Sequence, residues 1–128
     1  MKNIYWIFAG VLNLFTFFLH LIGGQIDLID PMVESTLNKN KSYELIAIWH
    51  IITILLFTTS SILLLAGFNK KYSTNAELIK FIGYLNLLFC VPFIIASIFY
   101  GLFIPQWILF FPIGLLTIIG LKKQKIDA

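Results

Sequence analysis

Two histidines, His20 and His50, are the only groups with ordinary pKa values near neutrality that fall inside long apolar runs of this chain. Ionisable side chains inside a membrane are rare and point to function by default. Each histidine lies about six residues from the middle of its run, on the same side, so at 1.5 Å per residue both sit roughly 9 Å from the bilayer centre. Two imidazoles at one depth can ligate a transition metal, supply both axial ligands of a haem, or relay protons. The plain alternative is a pair held by Thr16, Thr53, a backbone carbonyl or each other.

A metal needs three or four ligands. Asp27 and Glu44 stand nearby in sequence and complete a predicted metal set of His20, His50, Asp27 and Glu44. Trp49 beside His50, and Gln106 at the start of the last apolar run, complete a predicted cofactor or ligand pocket. The spacings HExxH, CxxC and CxxCH are absent, and the single cysteine, Cys90, excludes an internal disulfide. A histidine pair with carboxylates close by can support acid–base work. No nucleophile motif accompanies it, so enzyme status stays open.

The elements that must position these residues follow from composition. The chain has 128 residues, 59% hydrophobic and only 12% charged, with a mean hydropathy of +0.93. An average soluble domain carries about a quarter charged residues. The excess of apolar residues predicts an integral membrane protein and excludes a soluble enzyme, a disordered chain or a nucleic-acid module. All nine basic residues are lysines, whereas nucleic-acid readers lean on a concentrated, Arg-bearing basic face.

A bilayer core takes about 20 apolar residues per helix. Four spans are predicted, over 4–24, 45–67, 79–103 and 107–121, within one all-α transmembrane domain covering 1–128. The fourth is short and calls for local thinning or a partner. The first apolar run exceeds the roughly 7–15 residues of a signal h-region, and no A-x-A site follows, which predicts a retained span. Lys2, Lys70, Lys71, Lys80, Lys122, Lys123 and Lys125 flank the spans at one end. The loop over 25–44 sets Asp27, Asp30, Glu34 and Glu44 against Lys39 and Lys41. The positive-inside rule then predicts an antiparallel four-helix bundle in the cell membrane with both termini cytoplasmic.

Within the outer loop, Asp30-Pro31 predicts an N-cap and N1 proline, hence a short surface helix over 31–37. Each span carries small and polar residues at helical spacing, which predicts helix-to-helix faces. These are Gly10, Asn13, Thr16 and His20 in the first; His50, Thr53, Ser60 and Ser61 in the second; Gly83, Asn86, Cys90 and Ser97 in the third; and Gly114, Thr117 and Gly120 in the fourth. Asn13 and Asn86 fall at matching depth and can bond each other. Trp6, Trp49, Trp107, Tyr5 and Tyr43 fit interfacial aromatic belts. Pro92 and Pro112 each free a backbone carbonyl and can kink a span.

His20 with Gly23 and Gly24, Trp49-His50, and Pro105-Gln106-Trp107 together give the chain a resemblance. It is similar to small four-span bacterial membrane proteins of uncharacterised function. The resemblance implies a bacterial inner membrane and carries no activity. Small multidrug transporters and small fluoride channels are not matched: no acidic residue lies in the first span, and the Asn and Arg pattern is missing. The expected function is an outward-facing polar pocket around His20 and His50 that binds a metal ion, a haem or a small polar ligand. An oligomeric transporter or channel, built as a homo-oligomer in the bilayer, and a structural subunit of a larger membrane complex are the alternatives.

Overall fold

The computed structural model describes residues 2–36, 38–72 and 75–126, the side chains of 125 and 126 excepted. These residues are helical apart from short connections. The long helices are α1 (Ile4–Phe18), α3 (Lys39–Phe68), α4 (Ala76–Tyr100) and α5 (Trp107–Ile126), and α2 (Asp30–Glu34) is a short helix between the first two. Four helices are long and apolar enough to cross a membrane, the first of them running from Ile4 to Glu34.

Asparagines start α1, α3 and α4. The Asn3 side chain accepts from Trp6 N at 3.3 Å, Asn38 from Asn40 N at 2.9 Å, and Asn75 from Leu78 N at 3.1 Å. Each satisfies one of the N–H groups that a helix start leaves without a partner. At the other end of α4, Gly101 adopts φ +63, a left-handed conformation that stops the helix without a Cβ penalty. Ser97 Oγ then accepts from Ile104 N at 3.1 Å and closes the turn into α5.

Helix α1 packs broadly on α3 and α5, and α4 on α5, while α3 meets α4 only sparsely. Across the α1–α3 interface, rising residue numbers meet falling ones. Gly10 lies against Leu64, Asn13 Nδ2 donates to Thr59 Oγ1 at 2.8 Å, and His20 reaches Trp49. The α4–α5 pair behaves likewise: Gly83 faces Ile118, Gly114 faces Leu87, and Cys90 Sγ lies 3.7 Å from Trp107 O.

One core cluster gathers Trp6, Ala9, Leu63, Ala66, Ile79, Ile82 and Ile113, and a second gathers Leu56, Cys90 and Phe110. Most other large apolar side chains are exposed, as expected of a chain whose outer face meets lipid rather than water.

Several sequence expectations change. The loop over 25–44 shortens to the residues around Ser35–Asn38, because the first helix continues to Glu34 and α3 begins at Lys39. Asp30 does not cap a new helix: Ile29 before it is already helical, and its carboxylate accepts from Gln25 Nε2 at 2.7 Å. The predicted end of that helix, Leu37, lies outside the described residues. The fourth helix continues beyond its short apolar stretch. It runs 20 residues, through Lys122 and Lys123, whose stems can lie along the helix while their charges reach water.

Trp6 belongs to the core rather than to a belt, fully buried with Nε1 donating to Thr117 O at 3.1 Å. Asn13 and Asn86 do not bond each other. Asn13 is taken by Thr59, and Asn86 Nδ2 returns to Ile82 O of its own helix at 2.9 Å.

A residue that sequence reading passed over ties three helices together. Asn3 caps α1, donates its backbone N–H to Gly67 O at 2.9 Å, and donates Nδ2 to Gly120 O at 2.9 Å. The contact with Gly120 works because a Cβ there would come within 2.5 Å of the Trp6 indole.

Candidate functional site

His20 sits where α1 changes geometry. Residues Leu19–Gly23 and Gln25–Ile29 form two successive π-helical turns, with Gly24 N donating to Leu19 O and Asp30 N to Gln25 O. π-turns are rare and concentrate at functional sites. The wider turn carries the half-buried His20 ring towards α3, where it stacks on Trp49 with ring centroids 3.8 Å apart and planes 11° from parallel. Gly24 makes room for this. A Cβ there would overlap the Trp49 ring at Cζ2 and stand 2.9 Å from Cε2 and Cη2.

The hydrogen bonding fixes the chemistry of the stack. His20 Nε2 lies 3.2 Å from Trp49 O. A carbonyl only accepts, so Nε2 carries the proton and Nδ1 is left as the acceptor in the neutral ring. The same carbonyl also accepts from Thr53 Oγ1 at 3.1 Å. Trp49 Nε1 is buried and has no hydrogen-bond partner. An unpaired buried donor costs about 1–3 kcal/mol and calls for an acceptor. The stacked pair therefore carries one free acceptor, His20 Nδ1, and one unsatisfied donor, Trp49 Nε1.

The stack itself is made by Trp49: His50, the next residue, is exposed on α3, while Trp49 turns towards α1. The inward face of α3 runs through Thr53, Leu56, Ser60, Leu63 and Gly67. Stepping back by four from Thr53 reaches Trp49; stepping back by three reaches His50. Both steps are helical, and the space over Gly24 decides for the tryptophan.

Asp27 and Glu44 are exposed, and Gln106 is exposed in the turn before α5. Beside it, Trp107 O is met by Cys90 of α4. Among the described residues, no three His, Cys, Asp or Glu side chains converge on a point that could hold a metal ion. Thr16, a predicted histidine partner, bonds back to Leu12 O at 2.9 Å.

No family model, curated protein or solved structure matches the chain.

Proposed function

We propose that the chain is a small multi-pass protein of the cell membrane, an antiparallel four-helix transmembrane bundle with both termini cytoplasmic. In this reading, the outer end carries a site for a small polar ligand. The charge distribution supports the orientation. Lys2, Lys70, Lys71, Lys80, Lys122 and Lys123 gather at one end of the helices, and Asp27, Asp30, Glu34 and Glu44 at the other. The pairing of rising with falling residue numbers at two interfaces supports the antiparallel course.

One observation carries the ligand reading: the buried Trp49 indole N–H without a partner, stacked against a histidine whose tautomer is fixed by Trp49 O. Such a pair suits a ligand with one acceptor and one donor, an amide or a hydroxyl compound. Among the described residues, no three His, Cys, Asp or Glu side chains group to hold a metal, and His50, Asp27 and Glu44 are exposed.

The test is indole proton NMR of protein in a bilayer mimic, titrated with small amides and alcohols. A saturable downfield shift of the Trp49 N–H, abolished in His20→Ala, supports the reading. A Trp49 resonance that no such compound moves, together with stoichiometric metal or a Soret band lost in His50→Ala, overturns it in favour of the histidine pair.

A further inference from the structure

The sparse seam between α3 and α4 opens, at the lysine-rich end, into a groove of about 250 Å³ lined by Ile62, Leu65, Lys71, Tyr72, Asn75 and Leu78. Enclosed pockets for drug-sized ligands run from about 300 to 1,000 Å³. This one is smaller, and it lies on the outer wall of the bundle. Its lining combines the aliphatic Ile62, Leu65 and Leu78 with the polar Lys71, Tyr72 and Asn75. The Lys71 ammonium stands 5.9 Å from the Tyr72 ring centroid, so the groove carries a positive charge. Asn75 caps the 25-residue α4 there, so the positive end of a long helix dipole faces the same opening. Lys70 and Lys80 stand close in sequence, and Lys80 pairs with Glu77 at 3.4 Å.

We propose that this groove binds an anionic phospholipid. One acyl chain lies along Ile62, Leu65 and Leu78, and the phosphate lies at Lys71 and the start of α4. The charge complementarity names the occupant: basic recesses between spans at a cytoplasmic surface suit anionic head groups. A zwitterionic lipid presents an ammonium to the same lysines and gains less. The inference rests on the membrane reading of the chain and is independent of the His20–Trp49 site, so either can fail alone.

The test is native mass spectrometry of the full chain released from mild detergent with phosphatidylglycerol or phosphatidylcholine of identical chains. The expected result is a preference for phosphatidylglycerol that falls about fivefold in Lys71→Gln, the effect of one lysine at a membrane surface. Leu78→Trp, which fills the groove, removes adducts of both lipids. Lys123→Gln leaves the preference unchanged, since Lys123 sits over the Tyr5 ring on the α1–α5 side. Equal retention of the two lipids overturns the proposal. So does an equal loss in Lys71→Gln and Lys123→Gln, which would assign the preference to the whole basic end, or a co-purifying protein in place of lipid.

Discussion

Replacing the two partners of the Asn13–Thr59 bond one at a time is expected to have unequal consequences. Asn13 is fully buried, and its Nδ2 donates to Thr59 Oγ1 at 2.8 Å, while Thr59 gives its own proton to Leu55 O at 2.8 Å. That leaves Asn13 Oδ1 buried with no partner. In a bilayer, a single interhelical hydrogen bond contributes about 0.6 kcal/mol on average and about 1.7 at most, because separated helices also find polar partners. An unpaired acceptor buried out of water costs about 1–3 kcal/mol.

Thr59→Val removes the bond and strands the Asn13 amide nitrogen beside its already stranded oxygen, a predicted loss of about 1–3 kcal/mol. Asn13→Leu keeps the fork at Cγ, gives up the same bond and removes the stranded oxygen, so its stability is predicted to lie within about 1 kcal/mol of the parent or above it. The double variant should match Asn13→Leu to within about 0.5 kcal/mol, since no bond remains to couple the sites. Reversible unfolding in bicelles, followed by steric trapping, reads all four corners of this cycle. An Asn13→Leu loss as large as that of Thr59→Val would refute the reasoning, because it would mean that Oδ1 is satisfied in the bilayer.

Three further outcomes are expected. Gly24→Ala drives a methyl group into the Trp49 ring and should cost about 1–3 kcal/mol by overpacking. Gly23→Ala, with nothing within 4 Å of its Cβ, should be close to neutral in the same unfolding assay in bicelles. Asn3→Ala loses the α1 cap and the bond to Gly120, which predicts a loss of about 1–3 kcal/mol in unfolding assays, the cap alone contributing about 1. In intact cells, an impermeant thiol reagent should label Glu34→Cys from outside and leave Lys123→Cys unlabelled until the membrane is opened, since the native Cys90 is buried.

The four apolar helices were legible in the sequence because lipid tolerates no unpaired backbone, and each span must carry its own hydrogen bonds. Their ends were not. Residues 25–34 look like a loop because Gln25, Asp27, Asp30 and Pro31 are polar or helix-breaking. The helix nevertheless continues through π-turns, with Gln25 bridging to Asp30.

The site was half legible. His20 stood out as an intramembrane ionisable group, and Trp49 was expected in its pocket, though as a neighbour of His50 rather than as the stacking partner. Choosing Trp49 over His50 required knowing which of two adjacent residues faces α1, and a three-or-four-residue period does not separate neighbours a hundred degrees apart. The steric opening over Gly24 does, and it belongs to another helix. The role of Asn3 was out of reach for a similar reason. Its cap is local, whereas its bond to Gly120 O spans 117 positions.

The most direct test of the His20–Trp49 site is the proton NMR spectrum of the two histidine rings in a bilayer mimic. A ring stacked 3.8 Å above an indole lies in its shielding cone. The His20 ring protons are therefore predicted upfield of the His50 protons, and Trp49→Leu should return them to ordinary positions while leaving His50 in place. His20 protons at ordinary positions in the parent protein, or a His50 ring that moves in their stead, would contradict the account.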